Sequence, residues 1–409
     1  MKPFALSRRT LHRLGFGAIG VAAVVVGACH APSTAGRGHD AGIKAASAAR
    51  ASASPPASGS TSPAGVRKSP LSRAELPTTS GEIAVSNLEG WVVDGEKKLA
   101  KHPNDVQTLL SLVEVLTARG QYVGTVGDYF RALELAEKLV TLAPKDPRAY
   151  LARAKAHGTL HRFDDSLADL AKAAELGAKA EGIDESKASI LQARGNFDEA
   201  LAMRHLASQR RPSLSSLGSE ATVLAAMGRT EDAERLFTEA QYHYNDVAPF
   251  PVAWLWFQQA LMWENAGSPH RARELLKAAV DRLPVYAQAI SHLAALEPRT
   301  EAIALLDPVV QRTDDPEYPG ELSVFVRDAG DVARADALLA TAKKGYVALI
   351  LRAPTAFADH AARFWLGPGQ DPARALSLAE ANVALRPTPQ AKALVAEAQI
   401  AVRATAHDR

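Results

Sequence analysis

PFPVAWLWFQQALMWENAGSPHRARELLKAAVDRLP, running from Pro249 to Pro284, decides the fold. It reads as two amphipathic helices joined by a short turn. Trp256, Ala260 and Trp263 recur at the 3–4 spacing of one helical face. Ala266-Gly267-Ser268-Pro269 breaks that pattern. A second helix follows, with Ala272, Leu275, Leu276, Ala279 and Val280 on one face and Arg271, Arg273, Glu274 and Lys277 on the other. Pro284, which has no N–H to donate to the helix ladder, ends it.

The pair returns along the chain. Small residues equivalent to Ala272 stand at Ala132, Ser166, Ala200, Ala233, Ala302, Ala335 and Ala375, with steps of 34, 34, 33, 39, 30, 33 and 40 residues between neighbours. Glycine lies five residues before the anchor at Gly127, Gly195, Gly228, Gly267 and Gly330. Proline lies twelve after it at Pro144, Pro212, Pro284 and Pro387. Alanine lies seven after it at Ala173, Ala207, Ala240, Ala279 and Ala342. Each register has a mechanism. Glycine takes the positive φ that ends the first helix. Alanine lets the two helices approach, and proline turns the chain into the next pair. No pair buries its apolar face alone, so neighbours must stack.

This pattern, clearest in GNFDEA (Gly195–Ala200) and GRTEDA (Gly228–Ala233), resembles the tetratricopeptide repeat family. The resemblance covers Asn104 to Pro387. It implies an all-α, right-handed superhelical solenoid of about eight helix-turn-helix repeats. Thr388 to Ala406 reads as a capping helix, and Glu82 to Lys101, with Leu88, Trp91, Val92 and Leu99, as a leading helix. His161, Glu297 and Gln370 replace the turn glycine. Insertions fall at Asn245–Pro249 and Leu366–Gln370, and a shortened turn at Leu296–Arg299.

The remaining chain reads as an address and a tether. Lys2, Arg8, Arg9 and Arg13 precede an apolar run, Leu14 to Val26, too short for a comfortable span of about 20 residues. Val26-Gly27-Ala28-Cys29 resembles a lipobox, with cleavage before Cys29 and lipid on its thiol; it is the chain's single cysteine. Val26 stands where that motif more often has leucine. Ser7-Arg8-Arg9-Thr10-Leu11 resembles a twin-arginine signal, with a general secretory signal as the other reading. The expected divisions are a signal peptide over 1–28, a lipidated, disordered tether over 29–79 and a solenoid over 80–409. The Ala-, Ser- and Pro-rich tether cannot bury enough apolar surface to fold. Some 45 of its residues reach roughly 35–40 Å. The implied location is the cell envelope, lipid-anchored and periplasm-facing or on the outer membrane; His30 in place of an aspartate leans toward outer-membrane sorting.

Chemistry is sparse. Gly15-Phe16-Gly17-Ala18-Ile19-Gly20 has dinucleotide-motif spacing, but no strand precedes it and no βαβ unit surrounds it. His157 and His161 lack a third metal ligand and read as packed or solvated. Asp164-Asp165 and Asp314-Asp315 fall at turns, where carboxylates favour the next helix N-terminus. Arg204, Arg210 and Arg211 read as a solvated face. No cofactor or metal is expected. A net charge of +2 argues against a dedicated nucleic-acid binder.

The unusual concentration is aromatic: Tyr242, Tyr244, Phe250, Trp254, Trp256, Phe257 and Trp263. Helical phase assigns Trp256 and Trp263 to the core. It puts Trp254, Phe257, Leu261 and Glu264 on the face that lines the concave groove in the resembling family, where aromatics would anchor a peptide. The alternative is tighter packing around the insertion. Phe357, His360 and Phe364 form a second candidate face. The reading is a non-catalytic, membrane-tethered scaffold that binds a protein or peptide. The alternatives are an envelope enzyme or accessory with its site in a loop, and a structural, self-associating protein.

Overall fold

The computed structural model describes residues 76–407, which form eighteen helices with no strand among them. A leading helix α1 (Gly81–Lys101) precedes eight pairs: α2 (Val106–Val123) with α3 (Val126–Leu142), α4 (Pro147–Thr159) with α5 (Phe163–Glu175), α6 (Ala180–Ala193) with α7 (Phe197–Arg210), and α8 (Leu214–Ala226) with α9 (Thr230–Tyr242). The series continues with α10 (Pro249–Asn265) and α11 (Pro269–Arg282), α12 (Ala287–Leu296) and α13 (Arg299–Arg312), α14 (Glu317–Asp328) and α15 (Val332–Arg352), and α16 (Ala358–Leu366) and α17 (Pro372–Leu385). Helix α18 (Pro389–His407) packs on α17 and α16 and ends the stack. The chain is an all-α solenoid of repeated helix pairs. No helix among the described residues is long and apolar enough to cross a membrane.

The anchors are buried in every pair. All eight, from Ala132 to Ala375, are at most 1 % exposed. Ser166 fits because its hydroxyl donates to the carbonyl of Ala154 at 2.7 Å. Ala173, Ala240, Ala279 and Ala342 are buried as the period requires. Ala207 is exposed, because α7 turns Arg204 and Ser208 inward instead.

The turns share one geometry. The N–H five residues along donates back to the carbonyl that closes the first helix: Arg162 to His157, Asn196 to Leu191, Arg229 to Leu224, Ser268 to Trp263 and Asp331 to Val326, all at 2.8–3.2 Å. That closure needs one residue at positive φ. Gly195, Gly228, Gly267 and Gly330 supply it, and His161 and Gln370 adopt it at 54° and 55° without being glycine. In the first repeat the residue is Gly124, at 85°, and not Gly127, which lies inside α3. Glu297 stays at −99°, since the shortened turn has no left-handed residue.

Three residues assigned by sequence to the tether, Leu76, Thr78 and Thr79, are held in place. Leu76 is 3 % exposed. Arg282 donates to the Leu76 carbonyl and to Thr78 Oγ1, both at 2.7 Å. The Thr79 N–H and hydroxyl both donate to the Val247 carbonyl. The insertion after α9 therefore receives the chain as it enters the solenoid. The signal, Cys29 and the tether up to residue 75 lie outside the described residues.

The stack also closes on itself along a seam. Gly81 meets the backbone at Arg282–Pro284, between α11 and α12. A side chain at Gly124 would lie 3.1 Å from Ala287, Thr313 and Tyr318. The N–H groups of Val126 and Gly127 donate to Asp314 at 2.5 and 2.9 Å. Phe130 faces Phe357 with ring centres 6.2 Å apart, and Arg352 covers Phe130. His161 Nδ1 lies 3.0 Å from the Thr355 carbonyl. Gly195 abuts Pro387 and Thr388. Advancing along the early repeats advances the partner along the late ones. The edges of α1 and the first three repeats thus meet the junctions that follow the fifth through eighth. The free edge differs: a side chain at Gly228, Gly267 or Gly330 would meet nothing within 4 Å.

Candidate functional site

Burial overturns the proposed aromatic groove. Trp254 is 1 % exposed, Phe257 0 % and Leu261 9 %. The reason is stacking between neighbouring first helices. Gly218 of α8 leaves room for Trp254 and Leu255, which would lie 3.0 and 2.7 Å from any side chain placed there. On the other side, Phe257 packs edge-on against Tyr286 and His292 of the next repeat, at 5.1 and 5.4 Å. Trp256 is core, as phase indicated, with its indole N–H donating to Gln241 Oε1 at 3.2 Å. Trp263, expected in the core, is half-buried at the turn with the Arg271 guanidinium 4.2 Å over its ring.

The second aromatic face is buried too. Phe357 lies at the seam against Phe130, and Phe364 packs on Tyr346 and Trp365 at 4.7 and 5.1 Å. Two sequence candidates keep accessible surface, Glu264 (22 % of its side chain) and His360 (19 %). Both belong to one polar cluster, which the structure assembles from the first helices of repeats five to eight.

Glu264 of α10 holds His292 Nδ1 of α12 at 2.8 Å. The neighbouring Ser291 hydroxyl donates to Glu321 of α14 at 2.7 Å. One turn earlier on α14, Glu317 holds His360 Nδ1 of α16 at 3.1 Å. Asp359, beside His360, accepts from Arg386 at 3.1 Å. Glu317 retains 23 % of its side-chain surface, although helices surround it. Asp314 and Asp315 complete the cluster at the α14 N-terminus, the first capping α3 and the second accepting from the Glu317 N–H at 2.9 Å.

Carboxylates outnumber cations here, and the proton affinities follow. Burial, followed by the Glu317 charge, pushes Asp315 up to about 7 and Glu321 up to about 8. Burial works against protonated His360, but Glu317 and Asp359 overcome it and raise the imidazole to about 10. Burial likewise opposes ionised Asp359, but His360 and Arg386 hold it well below the carboxylate range. His292 is raised by Glu264 against the cost of burial. His161, across the seam, is lowered to about 4 by burial and then by Arg386. The cluster can take up and release protons near neutrality. Glu264 with His292, Glu317 with His360 and Asp359 with Arg386 are already paired, and the Ser291–Glu321 bond joins them into a polar ladder linking four repeats.

The other candidates are structural. His157 Nδ1 lies 3.2 Å from Asp169 Oδ2, which Arg153 also clamps with two hydrogen bonds. His161 belongs to the seam, so the two histidines do not form a pair. Asp164 and Asp165 pair with Arg194 and Arg162. Arg204, expected on a solvated face, is 4 % exposed and donates to Ser189 at 2.6 Å. Among the described residues no group of three His, Cys, Asp or Glu could hold a metal ion.

Sequence reading found Glu264 and His360 and missed Ser291, His292, Asp315, Glu317, Glu321, Asp359 and Arg386. Asp314-Asp315 carried the only local signal. No family model and no curated protein matches the chain. Solved structures with related helical architecture include the human IFIT1 dimer with PPP-AAAA, at 13 % identity over 63 % of this chain and 69 % of that one, TM-score 0.44. The Cut9–Hcn1 hetero-tetramer of the APC/C follows at 15 % identity over 72 % and 56 %, TM-score 0.39. YrrB, described as a TPR protein with an unusual peptide-binding site, matches at 16 % identity over 48 % and 95 %, TM-score 0.28.

Proposed function

We propose that the chain is a non-catalytic scaffold of the cell envelope, held to a membrane by lipid on Cys29, which binds a protein or peptide along the inner face of its solenoid. One observation carries this reading. The first helices of the fifth, seventh and eighth repeats present Glu264, Glu317 and His360, each keeping about a fifth of its side-chain surface. Such a set suits an extended chain that spans several repeats. The aromatic anchors expected from sequence are committed to the core, so recognition there would be polar. The basic n-region, the short apolar run and the lone Cys29 support the envelope address.

A photocrosslinking residue at Glu264, expressed in envelope membranes, tests the scaffold reading. The expected result is one dominant crosslinked protein or peptide, absent when the same residue is placed at Arg235 on the outer surface. Equal labelling from both positions would contradict it.

A further inference from the structure

The seam differs in kind from the rest of the solenoid. Each repeat is held by its sequence neighbours through continuous helix packing. The seam combines turns and loop ends, Gly124 against Thr313, Asp314 over the first N–H groups of α3, His161 against Thr355 and Gly195 against Pro387, with a few aromatic contacts, Tyr122 on Phe250 and Tyr286 at 4.9 and 5.2 Å and Phe130 on Phe357 at 6.2 Å. Parting it would leave every helix pair intact. His161 stands at the seam with a left-handed backbone, which is unfavourable for a residue other than glycine and which Gln370 also adopts in the last pair's turn. The His161 ring reaches across the seam to the Thr355 carbonyl at 3.0 Å.

Beneath the seam lies the charged cluster. From the late repeats, α10 contributes Glu264, α12 His292, α14 Asp315, Glu317 and Glu321, and α16 Asp359, His360 and Arg363. Arg386 adds a cation from the last junction. From the early repeats, Asp128 and Tyr129 of α3 face Asp314 and Asp315, Arg119 of α2 clamps Asp128, and His161 faces Asp359 and Arg386. Tyr318 and Tyr346 feel the same carboxylates from within the late repeats.

We infer that the seam is a latch: the first three repeats part from the last three as a unit, converting a closed solenoid into an open one, and the carboxylate–histidine cluster makes closure depend on pH. In mild acid Asp315 and Glu321 keep protons and His360 and His292 stay cationic. As pH rises, Asp315 and Glu321 ionise in a cluster where carboxylates already outnumber cations, negative charge builds beside Asp128 and Tyr129 of α3, and the early repeats are released. This deepens the scaffold reading, because an open solenoid admits a partner to its inner face. The latch itself is measurable with no partner present.

The test is a spin-label distance across the seam in the full chain carrying Cys29→Ser, so that introduced cysteines are the only thiols. One pair, Arg162→Cys with Leu351→Cys, uses exposed positions on opposite sides. A reference pair, Arg235→Cys with His270→Cys, lies within neighbouring repeats away from it. At pH 6 both pairs should give one narrow distance. At pH 9 the seam pair alone should gain a longer distance, its share rising about tenfold, the change one group's one-unit shift produces. Asp315→Asn with Glu321→Gln should suppress that gain. Unchanged distances at both pH values overturn the latch, as does broadening of both pairs with loss of helical circular dichroism, which is global unfolding. Either failure leaves the scaffold reading to its own crosslinking test.

Discussion

Asp314 caps a helix that begins at Val126, 188 residues earlier in the chain: its Oδ1 accepts the Val126 N–H at 2.5 Å and its Oδ2 the Gly127 N–H at 2.9 Å. The first N–H groups of a helix have no partner inside it. Thr125, the local N-cap of α3, makes no side-chain cap of its own, its hydroxyl instead donating to Asp128 at 2.6 Å. A carboxylate from the late repeats thus completes an early helix, so this helix end and the seam form together. The carboxylate also meets the positive end of the α3 dipole.

The burial pattern of α10 reverses one expectation and makes it measurable. Trp254→Ala should cost about 3–5 kcal/mol, as for other core aromatics. Phe257→Ala should cost a similar amount. Trp263→Ala should cost clearly less, since its ring is half-buried under Arg271. Chemical denaturation of the three variants checks this; a Trp254→Ala midpoint near wild type would return that ring to the surface.

Much of the fold is legible in the sequence because its determinants are local. The small anchor, the turn glycine and the closing proline recur within one pair, so Ala132 to Ala375 mark the pairs without any distant contact. The groove was misread because one amphipathic stripe does not describe α10. Its helix packs on α11, α8, α9 and α1, its Phe257 and Glu264 reach His292 of α12, and twelve of its seventeen residues are buried. A helix apolar nearly all round is a buried helix, and phase alone could not say so. The seam was not legible, and of the charged cluster only Glu264, His360 and the Asp314-Asp315 turn stood out, without their partners. Val126 and Asp314, or His161 and Thr355, meet only after the superhelix has wrapped.

Stability should fall between pH 6.5 and pH 9. Asp315 and Glu321 are raised in the folded state, so stability present below their unfolded values, near 4, is lost as pH rises through about 7 and about 8. His360 is raised as well; its contribution is full below 6.5 and is lost through about 10. His292 is shifted in the same direction. All four slopes agree above pH 6.5. Urea melts across that range should lose at least about 1.4 kcal/mol, the equivalent of one unit at one group. Glu321→Gln should flatten the profile, and a wild-type stability flat from 6.5 to 9 would remove the cluster from the account.

Cys29→Ser should move the protein from the membrane to the soluble fraction. Mass spectrometry of the mature protein should find an acylated Cys29 at its N-terminus. A mature chain still carrying Met1–Cys29 intact would exclude cleavage and lipidation there.

Closure of the solenoid is tested most directly by amide hydrogen exchange at two residues. Val126 and Gly127 stand in the first turn of α3, where N–H groups exchange freely unless something outside the helix holds them. Phe197 and Asp198, at the same positions of α7, have no side-chain cap and serve as the reference. With the seam closed at pH 6, Val126 and Gly127 should exchange at least about tenfold more slowly than the reference pair, and Asp314→Ala should abolish the difference, at a stability cost of about 0.5–2 kcal/mol for the lost cap. If Val126 and Gly127 exchange as fast as Phe197 and Asp198 in the wild-type protein, the early and late repeats are not joined, and the closed solenoid is contradicted.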